Sequence, residues 1–279
     1  MYKKRSCVKP VILILLYAML FSIMLSSAYA GDEQPLQVDQ EKLTDYIKKA
    51  FAESKFNGYV IVSKDSETLF SGGHGTINSV SKITPDENTV FGIASITKPL
   101  TAIGIALLEQ RGILTYTDTI DKYLDGVPED KKAISLHQLL THTSGITDGV
   151  ADDTEFTEKQ ELLARISKSE LLFVPGERFE YSNAGYSLLA AIIENAAGKT
   201  YADFMREDVF MPLGMTDTGF AGMEHFKNLN VTNGYYNGED YGKLSEYPFS
   251  WNGLVGNGDV LSTPADMKNL FSNLFSYRL

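Results

Sequence analysis

From Pro99 to Gln110 the chain is apolar almost all the way round a helical wheel, with Leu100, Ile103 and Leu107 along one side and Ala106, Ile105 and Leu108 on the others. A helix with no polar face has no place at a surface, so this one must be central and enclosed by other elements. Ser95-Ile96-Thr97-Lys98 stand at its entrance. A serine and a lysine three residues apart share one face of a helix, one turn apart. A potential nucleophile and a cation are therefore delivered together to the mouth of a segment that folding has to bury. Pro99 falls in the first turn, where proline is tolerated, and Gly112 is placed to stop the helix at its far end.

Other elements follow from spacing. Leu43, Tyr46, Ile47, Ala50 and Phe51 recur at helical intervals and predict an amphipathic helix over 41–54. Residues 58–63 and 67–72 read as a β-hairpin turning at 64–66. Leu136 to Leu140 predicts a short helix ending at Thr141-His142-Thr143-Ser144-Gly145. A polar helix is expected over 157–170 and a buried one from Ala184 to Ala197, stopped by Gly198. Thr200 and Asp203 have the spacing of a capping box, and Thr263-Pro264-Ala265-Asp266 that of a helix start. Residues 219–262 are rich in glycine and aromatics. Tyr235, Tyr236, Tyr241, Tyr247, Phe249 and Trp251 are read as core residues, with a place at the rim of a cleft as the alternative. The order of elements suggests an α/β (α+β) fold, a sheet layer flanked by helices that carries an all-helical subdomain over roughly 112–255.

The first 30 residues hold Lys3, Lys4, Arg5 and Lys9, then an apolar run from Val11 to Leu25, then Ala28-Tyr29-Ala30. That order reads as a secretory signal (1–30) cleaved before Gly31, followed by a flexible lead to residue 40 and one domain over 41–279. Its apolar run is short for a membrane span, so membrane contact is expected only during export and the mature protein is placed outside the cytoplasm, secreted or in the cell envelope. Without those four positive charges the formal balance moves from -11 to -15, which argues against nucleic acid and anionic lipid as partners. The only cysteine, Cys7, lies in the signal, so disulfides, a thiol nucleophile and cysteine metal sites are excluded from the mature chain.

The chemistry rests on three hydroxyl and amine groups. A serine hydroxyl attacks poorly until a neighbour takes its proton. Lys98 lies one turn away, and Tyr181-Ser182-Asn183 offers a phenol and an amide. Either Lys98 or Tyr181 could serve as base for Ser95. The Ser95 backbone N–H is a candidate oxyanion donor, and Asn183 a candidate contact for a substrate amide or a cap on the helix that follows. His142 has no G-x-S-x-G elbow to serve and is read as structural. No metal or organic cofactor is called for.

Phe91 to Lys98, Leu139 to Gly145, Phe179 to Tyr186 and Gly256 to Met267 resemble the serine β-lactamase superfamily. The branch most alike holds the class C β-lactamases and the D-Ala-D-Ala carboxypeptidases of the R61 type, with their esterase and peptidase relatives. The resemblance runs over roughly residues 40–279. It implies a β-lactamase/transpeptidase-like fold in which Ser95 is acylated, Lys98 activates it, Tyr181 is the base and Asn183 touches substrate. It further implies a secreted serine hydrolase working through an acyl-enzyme on a β-lactam, a D-Ala-D-Ala peptide of peptidoglycan type, or a small ester or amide. A penicillin-binding protein that stays acylated and an inert fragment are the alternatives.

One family motif is missing. The K-T-G or H-x-G strand, which supplies a second oxyanion N–H, does not follow Tyr181 here and by family spacing would lie past Leu279. The expectation is a C-terminally truncated domain without its last strands, leaving the 58–72 hairpin with an open edge. Gly73-His74-Gly75 precedes the serine and is read as the end of a hairpin strand. The sequence leaves the oligomeric state open.

Overall fold

A computed structural model of the chain describes residues 38–54, 56–64, 67–148, 150–151, 158–237, 239–246 and 253–275. The signal-like segment, most of the lead, and Tyr247, Phe249 and Trp251 lie outside the described residues. The chain divides into two compact units, the first ending at Ala50 and the second starting at Phe51.

Helix α1, Gln40–Glu53, accounts for the described part of the first unit and runs on into the second. Ile47 is its buried residue, whereas Tyr46, expected on the same apolar face, is 73% exposed. In the second unit, β1 (Gly58–Lys64) and β2 (Glu67–His74) form the expected antiparallel hairpin, Gly58 facing His74 and Lys64 facing Glu67. A bulge at Val62/Ser63 shifts its register. Phe51 meets two of its rings, Phe70 edge-on with centroids 6.3 Å apart and His74 stacked at 5.1 Å.

The predicted central helix is α2, Thr97–Gln110. Leu100, Ile105 and Leu108 on it are wholly buried. Gly104 allows its close packing, because a Cβ there would lie 3.0 Å from Ile193 and 3.2 Å from Phe204. Helices α3 (Leu136–Leu140), α4 (Lys159–Lys168) and α5 (Asn183–Ala197) contribute to the same core, α5 packing directly on α2 and α3 on α5, and α6 (Tyr201–Phe204) continues to Phe210 as a π-helix that also packs on α2. Gly112 and Gly198 each take a left-handed φ of 69° and stop α2 and α5, as their spacing predicts. Leu189 to Ile193 of α5 are all fully buried and share one core with α2 and the aromatic rings of Tyr201, Phe204 and Phe210.

The expected sheet layer appears as small, open sheets. Besides the hairpin there is a three-stranded sheet, β3 (Phe91–Gly92), β7 (Val260–Ser262) and β4 (Gly219–Phe220), with β7 in the middle and both pairings antiparallel. A second hairpin joins β5 (Asn233–Tyr236) to β6 (Glu239–Lys243). Two- and three-residue strands carry too few positions to show alternation in a sequence. The aromatics on this second hairpin correct the core expectation, because Tyr235 and Tyr241 are both exposed. The Tyr235 hydroxyl instead accepts from Ser79 N–H and donates to Asp240. Helix α7, Pro264–Phe275, follows β7 and packs on β1. Its start uses the predicted device, with Thr263 Oγ1 accepting from Asp266 N–H at 3.1 Å.

Candidate active site

Strand β3 and the turn after it hold the serine. Ile93 N–H donates to Val260 O at 3.0 Å, which fixes this segment to β7. Ala94 then takes φ 46°, a left-handed conformation unusual for a residue with a Cβ. Such strain persists only where surroundings impose it, and it tends to gather at functional sites. Ala94–Ile96 make one turn of 3-10 helix, so Ser95 stands just before α2, and Lys98 is the second residue of α2.

Lys98 is almost wholly buried, and its ammonium donates three hydrogen bonds. They reach Ser95 Oγ at 3.2 Å, Asn183 Oδ1 at 2.7 Å and the Asn257 carbonyl at 2.9 Å. A lysine ammonium has three N–H donors, so each has its acceptor. The Tyr181 hydroxyl donates to Ser95 Oγ at 2.9 Å. Lys98 Nζ also lies 4.7 Å from the centre of the Tyr181 ring. Ser95, Lys98, Tyr181 and Asn183, chosen from the sequence, are therefore brought together, Lys98 and Tyr181 on the serine oxygen and Asn183 on the Lys98 ammonium.

Tyr181 and Asn183 are presented by the start of α5. The helix is capped by Ser182, whose Oγ accepts from Gly185 N–H at 3.0 Å. Ser182 and not Asn183 is thus the cap, which leaves the Asn183 side chain available to the site. That amide donates from Nδ2 to Asp148 Oδ2 at 3.1 Å, while Asn183 N–H donates to Asp148 Oδ1 at 3.0 Å.

His142 lies against the tyrosine. Its ring stacks on Tyr181 with centroids 4.6 Å apart, and its Nδ1 accepts from Ser182 N–H at 3.1 Å. Burial, with the Lys98 charge as the second cause, holds the imidazole below its ordinary pKa, against an opposing pull from Asp148. A neutral ring with a bare Nδ1 suits that environment. Burial likewise raises the Tyr186 phenol, which donates to Leu140 O at 3.0 Å.

The 253–259 loop closes the site from below. Gly256 takes φ 76°, and a Cβ there would sit 2.7 Å from Ala190 Cβ and 2.8 Å from Tyr186 O, so only glycine lets the loop press against α5. Thr101 Oγ1 donates to Gly256 O at 2.7 Å, and the Tyr201 hydroxyl lies 2.7 Å from the same Oγ1. Asp259 is half-buried as a residue, and burial of its carboxyl pushes the group up to about 7. Its Oδ1 accepts from Gly256 N–H at 3.3 Å and its Oδ2 has no partner. Asp148, Asn257 and Asp259 were not foreseen. The Asn257 contact is a main-chain carbonyl, which no residue type announces, and Asp148 sits in a loop with no motif of its own beyond the Thr141–Gly145 stretch.

A serine hydroxyl, an ammonium and a phenol thus meet at the mouth of a buried helix on a mixed helix-and-strand fold. The Beta-lactamase family model matches residues 43–278, and the chain belongs to that family. It is 32% identical over 231 residues to Penicillin-binding protein 4* of Bacillus subtilis (strain 168), a match covering 76% of this chain and 51% of that protein. The octameric penicillin-binding protein homologue from Pyrococcus abyssi superposes with a TM-score of 0.73 at 29% identity, covering 87% of this chain and 57% of the other. FmtA from Staphylococcus aureus gives a TM-score of 0.73 at 27% identity, covering 86% of this chain and 66% of the other. The chain spans about half the length of the curated relatives it matches.

Proposed function

We propose that the chain is an exported serine hydrolase acting through an acyl-enzyme on Ser95. The observation that carries this reading is the convergence on Ser95 Oγ of Lys98 Nζ at 3.2 Å and Tyr181 OH at 2.9 Å. Tyr181 is the base that takes the Ser95 proton while Oγ attacks a substrate carbonyl. The Lys98 ammonium, held by Asn183 Oδ1 and the Asn257 carbonyl, gives its third hydrogen to Ser95 Oγ and steadies the charge that grows there. The Ser95 N–H donates to the developing oxyanion, and Tyr181 returns the proton to the leaving group. Water then attacks the ester, with Tyr181 again as base, and frees the acyl group. Asn183 offers its second Nδ2 hydrogen to a substrate carbonyl. The substrate class is a β-lactam, a D-Ala-D-Ala peptide or a small ester or amide. The basic and apolar order of residues 1–30 supports export, with the mature protein acting in the envelope or outside the cell.

Intact mass tests this. The protein is treated with a penicillin and, separately, with a fluorophosphonate, beside Ser95→Ala. A single adduct absent from Ser95→Ala is expected. No adduct from either reagent overturns the proposal and leaves the inert-fragment reading. The name of the Bacillus relative favours a second reading, a penicillin-binding protein with slow deacylation. A penicillin adduct that persists for hours selects that reading, and one that decays with product release selects the hydrolase.

A further inference from the structure

We propose that Asp148 is a positioning residue: it locks the Asn183 amide in the one orientation that aims its oxygen at Lys98. The catalytic consequence rests on the function proposed above; the lock itself does not.

A side-chain amide is nearly symmetric in shape but opposite in polarity at its two ends. Between an acceptor and a donor only one orientation satisfies both. A carboxylate only accepts, so Asp148 Oδ2, at 3.1 Å, must meet Nδ2. An ammonium only donates, so Lys98 Nζ, at 2.7 Å, must meet Oδ1. A flipped amide would set donor against donor and acceptor against acceptor. The second Asp148 oxygen accepts from Asn183 N–H at 3.0 Å, one of the unpaired N–H groups at the start of α5. The two bonds engage both carboxylate oxygens with one residue, so the aspartate cannot swing away without losing both. Asp148 touches neither Ser95 nor Lys98 in these hydrogen bonds; it acts through Asn183.

A helix cap would explain the backbone bond alone. Asp148→Asn separates the two roles. The new amide oxygen can still accept from the backbone N–H of Asn183, but its NH2 faces the NH2 of Asn183. A capping role predicts little change. A positioning role predicts slower fluorophosphonate labelling of Ser95, by about 10- to 100-fold, the loss that goes with one charge-assisted hydrogen bond. Asn183→Asp alone sets two carboxylates face to face and should slow labelling similarly. The reciprocal swap, Asp148→Asn with Asn183→Asp, restores every polarity: the amide oxygen at 148 takes the backbone N–H, its NH2 donates to the carboxylate at 183, and the other carboxylate oxygen faces Lys98. The swap should label at least tenfold faster than the slower single variant. Melting temperatures of the same four proteins give a second cycle, in which both single variants fall and the swap recovers. Asp148→Asn labelling at the unaltered rate, or a swap no better than the singles in labelling and in melting, overturns the proposal. If the unaltered protein does not label, the function proposed above fails and the melting cycle alone decides the lock, additive losses rejecting it.

Discussion

The imidazole of His142 lies stacked on the phenol of Tyr181, centroids 4.6 Å apart, while its own backbone holds φ 57°. The ring is tied at Nδ1 by Ser182 N–H, so it buttresses the tyrosine as a neutral group.

That neutrality sets a pH dependence. Burial, then Lys98, holds the folded His142 pKa below its ordinary value of 6.5. The unfolded chain takes up the proton first, so the stability present above about pH 6.5 is lost as pH falls toward the folded pKa. His142→Asn keeps an acceptor and tolerates the left-handed backbone but does not titrate there. The fall in melting temperature between pH 7 and pH 5 should be smaller in this variant. An unchanged fall would show that His142 carries none of it.

Asp259 acts in the opposite direction. Its carboxyl is pushed up to about 7 by burial, so its stability is full below the ordinary 3.8 and is lost as pH rises through about 7. Asp259→Asn removes that titration. Relative to the unaltered protein, the variant should gain about 3 kcal/mol more at pH 8 than at pH 5. Chemical denaturation at both pH values measures the difference, and equal effects at both would contradict it.

Gly256→Ala should damage both the fold and the site. The left-handed φ of 76° and the 2.8 Å approach to Tyr186 O leave no room for a methyl group. Strain and overpacking together should cost about 2–4 kcal/mol. The loop must shift, and with it the Asn257 carbonyl that Lys98 holds at 2.9 Å. A lower melting temperature should therefore come with slower labelling of Ser95 in the fraction that remains folded.

Tyr201→Phe should act on stability with little effect on chemistry. The buried Tyr201 hydroxyl meets Thr101 Oγ1 at 2.7 Å, and Thr101 keeps its bond to Gly256 O when the hydroxyl is gone. The expected loss is about 1 kcal/mol, a melting temperature lower by roughly 2–4 °C, with labelling close to unaltered. A labelling loss of tenfold or more would assign Tyr201 a part in placing the loop.

The amino-acid order by itself determined the long elements and the reactive set. The apolar faces of α2 and α5 are long enough to show their period, and Gly112 and Gly198 mark where they stop. Ser95 and Lys98 are neighbours on one short stretch, so local spacing alone joins them. Tyr181 and Asn183 could be attached through motif resemblance, because both sit at the head of a helix the sequence already shows. Asn183 stood as either cap or site residue, and the structure separates these by giving the cap to Ser182.

What only the tertiary structure decided are the contacts made across long stretches of chain by groups with no pattern of their own. Two-residue β3 and β4 exist because β7 lies between them, and pairing with a distant partner leaves no local period to read. The exposed places of Tyr235 and Tyr241 depend on where the β5–β6 hairpin comes to lie, which composition cannot tell. Lys98 finds its third acceptor on a main-chain carbonyl, and Asn183 its orientation on a loop aspartate. Polarity and distance, not residue spacing, bring those groups together, and they become visible only once the chain is folded.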